Sequence, residues 1–136
     1  MRVLHATPAL PTSDMNRSVG FYRDKLGFSV VHHESDFAIV ERDGVQIHLW
    51  AAIDESWRTS SKKDGVCPVV SGAESFIAGT ASCRVAVTDV EELYTEVKAR
   101  RALRPDAVTT VQPWGDKEFD VFDPDNNIVT FFQRGD

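Results

Sequence analysis

The hydrophobic and polar positions of this chain predict one helix and four strands, and then the same order a second time. Apolar residues of the first helix recur at helical spacing, at Met15, Val19, Tyr22 and Leu26. A helix is therefore predicted over residues 14–26, with Asp14 among the residues that cap its start. Gly27 follows the last apolar position and is the type of residue that ends a helix.

Runs of β-branched and aromatic residues predict the strands of the first half. The run at 3–10 is broken by Pro8 and ended by Pro11. Because proline cannot donate to a central ladder, this run is predicted as an edge strand or an arm. The other three runs span residues 28–33, 37–42 and 45–51. Between the last two, Asp43 and Gly44 are a strong two-residue hairpin signal.

The second half repeats this order of elements. An apolar run at 83–87 comes before a helical stripe that begins at Val90 and reaches about residue 102. Three further strand-like runs lie at 108–112, 118–122 and 128–133. Asp14 and Asp89 hold equivalent capping places 75 residues apart, and the turns at 43–44 and 125–126 are equivalent too. We predict an α+β fold of tandem βαβββ modules that form curved mixed sheets with the helices outside.

The length of the chain fits one domain. Its 136 residues are predicted to form a single domain of two modules, at about 1–51 and 82–136, joined by a long loop over 52–81. A chain of this size can bury a full core without disulfides or a structural metal. Cys67 and Cys83 are accordingly predicted to be reduced, partly buried thiols.

Composition and charge exclude several classes of partner. Fifteen Lys and Arg against 21 Asp and Glu give a formal net charge of -6, and no basic run of five or more occurs. A nucleic-acid partner is therefore not expected. No apolar stretch approaches the length of about 18 residues that a membrane span requires, and the N-terminus lacks the apolar core of a signal peptide. We expect a cytoplasmic protein whose acidic surface suits a cationic ligand.

Two motifs stand where the repeat requires them. Residues 18–28 read SVGFYRDKLGF, and residues 123–127 read DPDNN. The first resembles the FYrdkLGF signature of the glyoxalase, bleomycin-resistance and extradiol-dioxygenase superfamily, also called the vicinal oxygen chelate proteins, and the second resembles that family's DPdGn turn. QPWG at 112–115 resembles the bleomycin-binding resistance proteins within it. The resemblance implies a homodimer in which an arm held extended by Pro8 and the sheets of two chains frame two equivalent clefts.

Enzymes of this superfamily hold a divalent metal with four side chains from strands one, four, five and eight. The resemblance puts Thr7, Ser82 and Thr130 at three of these positions, and none is a good metal ligand. His48 stands at the remaining one, on the fourth strand. His5 lies two residues before Thr7, so a slipped pair of His5 and His48 is an alternative site, although two imidazoles without a carboxylate hold a hard metal poorly. No metal and no cofactor are expected.

Aromatic side chains indicate the binding of a flat ligand. Rigid rings give a large contact area, and three of them are predicted at the mouth or along the concave face of the sheets. Trp57, in the long loop, is placed to close over such a site. Where the resistance proteins carry a tryptophan that contacts drug, this chain has Arg84, which can stack on a ring but repels a cationic tail. The predicted ligand-binding residues are Phe37, His48, Trp50, Arg84 and Trp114.

Three functions are compatible with these residues. The first is non-catalytic sequestration of a bleomycin-type glycopeptide, or of another planar or cationic small molecule, which would confer resistance. The second is a metal-dependent glyoxalase-like or dioxygenase-like enzyme with a non-standard site at His5 and His48. The third is a small-molecule-binding module with no role in resistance. The absence of a phosphate loop, a nucleophile elbow and a good metal-ligand set from the sequence favours binding over catalysis. The first function is the leading hypothesis, and the sequence does not separate it from the third.

Overall fold

Two successive βαβββ modules make up the part of the chain that the structure describes. This structure is a computed structural model, and it describes residues 1–52, 79 and 81–135. The elements in chain order are β1 (Ala9–Thr12), α1 (Met15–Asp24), β2 (Ser29–His33), β3 (Phe37–Arg42), β4 (Val45–Ala51), β5 (Ser82–Ala86), α2 (Val90–Ala99), β6 (Thr110–Val111), β7 (Lys117–Phe122) and β8 (Ile128–Gln133). The predicted order of elements is confirmed. The predicted closing residue Trp57, the thiol Cys67 and most of the long loop lie outside the described residues.

Each module forms its own mixed four-stranded sheet, as the repeat predicts. The strand orders are β1-β4-β3-β2 and β5-β8-β7-β6. The first strand of each module runs parallel to the last one, and the other pairs are antiparallel. This topology confirms the predicted α+β fold class. Neither helix in the described part of the chain is long and apolar enough to cross a membrane.

Both helices begin at the aspartates that the sequence pattern indicates. The side chain of Asp14 accepts from the backbone N–H of Arg17 at 3.1 Å, and that of Asp89 accepts from Glu92 at 3.0 Å. These bonds satisfy N–H groups that have no partner inside the helix. Gly27, after α1, has φ +73°, and a Cβ there would lie 2.8 Å from Nη1 of Arg42. A larger residue would therefore meet both backbone strain and a clash.

The core lies between each sheet and its helix. Successive side chains of a strand point to opposite faces, and in β3 and β4 one alternate set is fully buried: Ala38, Val40, Ile47 and Leu49. This set packs in one cluster with Met15, Val19 and Tyr22 of α1. Cys83 of β5 is a half-buried free thiol, as predicted, and burial raises its pKa to about 11. The opposite faces of the two sheets carry the polar and aromatic residues considered below.

The first strand is where the sequence prediction was wrong. It was placed at 3–10, whereas β1 begins at Ala9 and includes Pro11. The backbone of β1 faces β4 through the carbonyls of Pro8 and Thr12, which accept from His48 and Ala52. Pro11 lies between these positions and faces away, so its missing N–H costs no ladder hydrogen bond. Its carbonyl instead accepts from Nδ2 of Asn127 at 2.7 Å.

Asn127 and Asp123 join the two modules through a buried polar network. Nδ2 of Asn127 also donates to Asp123 at 2.9 Å, and its Oδ1 accepts from the backbone N–H of Gly79 at 3.0 Å. The hydroxyl of Tyr22 in α1 donates to the Asp123 carboxylate at 3.1 Å. Burial raises the pKa of Asp123 above its usual value, although its hydrogen bonds favour the ionised form. Asn127 is fully buried, so no water molecule can take its place as the hydrogen-bond partner of these groups.

Replacing Asn127 tests the importance of this network. We expect Asn127→Ala to lower the free energy of unfolding by about 2–4 kcal/mol, because it leaves the buried Pro11 carbonyl and the half-buried Gly79 N–H without their hydrogen-bond partner. Asn16→Ala, at an exposed position of α1, is the matched control and should change stability by less than about 0.5 kcal/mol. Urea denaturation of both variants gives the two values. Equal stability of the two would contradict a joining role for Asn127.

Candidate functional site

An aromatic cluster covers the face of the first sheet that points away from α1. Phe37 and Trp50 are direct partners across β3 and β4, and their ring centroids are 4.5 Å apart. The His48 ring meets Phe37 edge-on at 5.2 Å, and His32 of β2 lies 5.7 Å from Phe37 on the other side. The strand alternation that buries Ala38 and Leu49 beneath the helix thus presents these rings on the opposite face.

Two polar groups within this cluster are poorly solvated. Nε1 of Trp50 is buried and has no hydrogen-bond partner among the residues that the structure describes. Buried donors are nearly always paired, so this N–H is suited to an acceptor on a bound molecule. Burial lowers the pKa of His48, which favours the neutral imidazole at pH 7. The cluster is therefore largely apolar, with a donor available beside it.

A second cluster lies on the corresponding face of the second sheet. Arg84 of β5 bonds Glu118 at 2.6 Å and lies 3.7 Å from Asp116. The same guanidinium stands over the Phe132 ring, 4.5 Å from its centroid. The surrounding open depression, of about 580 Å³, is lined by Arg84, Trp114, Asp116, Phe132 and Arg134. The charge of Arg84 is thus largely balanced by carboxylates, which reduces the repulsion of a cationic ligand that the sequence alone suggests.

The turn between β6 and β7 exposes Trp114. The N–H of Gly115 bonds the carbonyl of Gln112 at 2.9 Å, and the N–H of Gln112 bonds Asp116 at 2.8 Å. Gly115 has φ +101°, a conformation that favours glycine. The indole remains 64% exposed, so this turn leaves the ring accessible to a ligand.

The structure divides the predicted site residues between the two sheets. Phe37, His48 and Trp50 lie together on the first sheet, whereas Arg84 and Trp114 lie together on the second. Sequence reasoning missed Glu118 and Phe132, which hold Arg84 from β7 and β8. The period-two alternation of those strands was the available signal, but it identifies a face and not a contact.

The ladder registers show which residues stand beside His48 and Thr130 in the structure. Ala9, and not Thr7, pairs with His48, and Arg84, and not Ser82, pairs with Thr130. The four strands therefore bring a methyl group, an imidazole, a guanidinium and a hydroxyl to these positions. The Thr130 hydroxyl is engaged with Asp120 at 2.6 Å. This donor set does not fit a divalent cation, since only His48 is a usual ligand and Arg84 repels positive charge.

The alternative pair of His5 and His48 required the first strand to extend through His5. β1 begins four residues later, at Ala9, and His5 lies in the exposed segment before it. The described residues contain no group of three or more His, Cys, Asp or Glu side chains that could hold a metal ion. The strand register that the slipped pair needs is therefore not formed.

Comparison with known proteins supports the resemblance seen in the motifs. Residues 2–131 match the Glyoxalase/Bleomycin resistance protein/Dioxygenase superfamily. The chain belongs to this superfamily. The bleomycin resistance proteins of Geobacillus stearothermophilus and Staphylococcus aureus are each 50% identical to it over 132 residues, with 97% of this chain and 98% of each relative covered.

A solved structure from the same superfamily has a closely similar fold. It is the bleomycin-binding protein from bleomycin-producing Streptomyces verticillus, complexed with copper(II)-bleomycin. That protein is 27% identical, with a TM-score of 0.71, and the match covers 100% of this chain and 99% of that chain. The superfamily contains both enzymes and binding proteins, so the side chains on the two open faces have to distinguish between them.

The donor set predicts how the purified protein will behave toward metals. We expect elemental analysis to find far less than one divalent metal ion per chain after dialysis, because Ala9, Arg84 and Thr130 supply no usual ligand. His48→Ala should leave that content unchanged. About one ion per chain, lost in His48→Ala, would mean that the superfamily's metal centre persists with other ligands.

Proposed function

We propose that this protein binds a bleomycin-type glycopeptide without chemical turnover and so protects its host from the drug. The observation that carries the proposal is the 50% identity to bleomycin resistance proteins over 97% of the chain. At that level of identity, over 97% of this chain and 98% of the relative, the fold is expected to be shared. We place the activity in the cytoplasm, between the entry of the drug and its target.

The two clusters supply the chemistry that such a ligand needs. Phe37 and Trp50 form a tilted aromatic pair with rings 4.5 Å apart, which offers a platform for a planar heteroaromatic group. Trp114 offers a second, exposed ring. Arg84, whose guanidinium carbon lies 4.5 Å from the centroid of the Phe132 ring, adds a guanidinium plane on which a ring can stack. Carboxylates beside Arg84 keep the second face suitable for a positively charged ligand.

The metal-dependent enzyme receives no support from the residues at the superfamily's metal positions. Among the residues that the structure describes, no ligand set is present through which a metal could polarise a substrate as it does in these enzymes. A binding module without a resistance role uses the same two faces, and only the identity of the ligand separates it from the proposal. Calorimetric titration with bleomycin therefore tests the function directly, and the absence of binding would favour that module.

We further propose that the binding clefts form in a homodimer. One chain carries its two clusters on separate sheets, and pairing of the first sheet with the second sheet of a partner would bring them together. The segment before β1 is highly exposed in the single chain, with Val3 at 91% and Leu4 at 78%. An exposed apolar segment of this kind is suited to contact a neighbouring chain.

Light scattering tests this assembly. We expect a mass of twice the 15.2 kDa of one chain at micromolar concentration. Pro8→Gly should shift the equilibrium toward monomer, because it removes the restriction that holds the segment before β1 extended. Pro105→Gly, at an exposed loop position, is the matched control. A monomeric wild type at micromolar concentration would remove the shared cleft.

Trp114 is the most informative single residue for drug binding. Trp114→Ala should weaken bleomycin binding by about 1–3 kcal/mol, or roughly five- to 150-fold, if the indole stacks on a ligand ring. Its melting temperature should change little, because the exposed ring contributes little to the core. Val108→Ala, at a position that is also 64% exposed, should leave both quantities unchanged. Retained affinity together with a collapsed melting temperature would place Trp114 in the core instead.

A further inference from the structure

The two halves of the chain share one arrangement, and their differences are informative. Ala9 pairs with His48 in the first sheet, and Arg84 pairs with Thr130 in the second. Ala9 is therefore equivalent to Arg84, and His48 is equivalent to Thr130. Counting along the chain from these pairs makes Arg17 equivalent to Glu92. It also makes Asp125, in the turn before β8, equivalent to Asp43, in the turn before β4.

Between the turn that contains Asp125 and the start of α1, the chain itself fills the space. The carboxylate of Asp125 accepts from the backbone N–H of Ser13 at 3.1 Å and from the hydroxyl of Thr12 at 3.0 Å. The guanidinium of Arg17 completes the arrangement, 3.0 Å from Asp125. Burial opposes ionisation of Asp125, but these partners outweigh it and hold its pKa below the usual value. A cation and an anion of the same chain thus meet here.

The equivalent space, between α2 and the turn of β3 and β4, is a cleft of about 470 Å³. The equivalents of the hydroxyl residues Thr12 and Ser18 are the apolar Val87 and Leu93. The apolar lining consists of Leu26, Phe28, Val45, Val85, Ala86, Val87, Leu93 and Phe131. The volume and the apolar character are those of a small-molecule site.

One charge of this cleft differs from the filled arrangement, because Glu92 stands where that arrangement has Arg17. Glu92 and Asp43 both line it, at the positions equivalent to Arg17 and Asp125. Arg42, the lining cation, is bonded to Glu96 through both terminal nitrogens at 2.7 and 2.8 Å, and its Nε is 3.9 Å from Asp43. Glu92 forms no ion pair with any residue that the structure describes. The lining therefore carries an excess of negative charge.

The start of α2 contributes no site for an anion. Its N–H groups are taken by the chain, since Asp89 accepts from Glu92 at 3.0 Å and the side chain of Gln133 accepts from Val90 at 3.0 Å. Asp89 and Glu96 add two further carboxylates to the lining. The complementary ligand is consequently positively charged.

We propose that this cleft binds an amphiphilic organic cation, with a guanidinium or ammonium group between Glu92 and Asp43 and an apolar body on the lining formed by Leu93 and Phe131. The cation takes the place that Arg17 holds in the first half. The site is separate from the two open sheet faces, since its lining shares no residue with the clusters of Trp50 and Trp114. Its existence does not depend on the binding of bleomycin.

The probe is 3-phenylpropylguanidinium, and its neutral counterpart of the same shape is 3-phenylpropylurea. Backbone amide NMR titration of the wild-type protein should show saturable shifts at residues 87–93 with the cation. The urea should bind at least about ten-fold more weakly, because it loses the charge-assisted hydrogen bonds. Glu92→Gln should weaken the cation by a similar factor and leave the urea unaffected.

Glu92→Arg tests the proposal in the opposite direction, because it places at this position the residue type of the equivalent Arg17. Its guanidinium should bond Asp43 as Arg17 bonds Asp125, raise the melting temperature and abolish cation binding. Asp106→Arg, at an exposed position outside the cleft, changes the net charge equally and should bind as the wild type does. The proposal is overturned by equal binding of the urea, by unchanged binding to Glu92→Arg, or by no saturation up to about 10 mM.

Three further outcomes separate this proposal from its alternatives. Shifts confined to the residues around Trp50 and Trp114 would place the cation on the open sheet faces and reject the cleft. Shifts at residues 87–93 that depend on protein concentration alone would indicate a second copy of this chain in place of a small molecule. Failure of bleomycin to bind, with cation binding retained, would reject the proposed function and leave this inference standing.

Discussion

The hydrogen bonds around Asp123 and Asn127 are the constraint on which the rest of the structure depends. They fasten the last turn of the second module to β1 and α1 of the first, through Pro11 and Tyr22. The contact is reciprocal, because Arg42 at the corresponding turn of the first module bonds Glu96 of α2. A buried network of this kind tolerates few alternatives, since every unpaired member costs its full desolvation energy. The two modules are thereby held in one relative position.

This mode of joining leaves the outer faces of both sheets available for ligands. Each sheet buries its other face beneath a helix, and the turns join the modules on the helix side. The rings of Phe37 and Trp50 and the pair of Arg84 and Trp114 therefore remain accessible. The superfamily includes glyoxalases and dioxygenases as well as bleomycin resistance proteins, so the side chains on these faces determine which chemistry they can support. Here Ala9 and Arg84 stand beside His48 and Thr130, so the faces offer aromatic and guanidinium surfaces and no metal-ligand set.

The two spaces between a turn and a helix have equivalent backbone arrangements and different charges. Where Arg17 and Asp125 neutralise each other, the space between turn and helix is closed by the chain. Where Glu92 and Asp43 take their places, the space stays open as a cleft with an apolar lining. A repeat in sequence thus sets a common scaffold, and the filled and open arrangements differ by the exchange of Arg17 for Glu92 and of hydroxyl residues for apolar ones.

The sequence by itself determined the elements whose signals are local. Asp14, Asp89 and the apolar spacing after them predict both helices, and Asp43-Gly44 predicts the hairpin of β3 and β4 with the bounds that the structure has. Only the tertiary structure decided the position of β1, the pairing of Ala9 with His48 and the contacts of Arg84. Parallel pairing joins residues almost 40 positions apart through hydrogen bonds that any side chain permits, so the register leaves no local trace. The resemblance indicated Arg84 as a site residue, whereas its bond to Glu118 depends on which strands meet across the sheet.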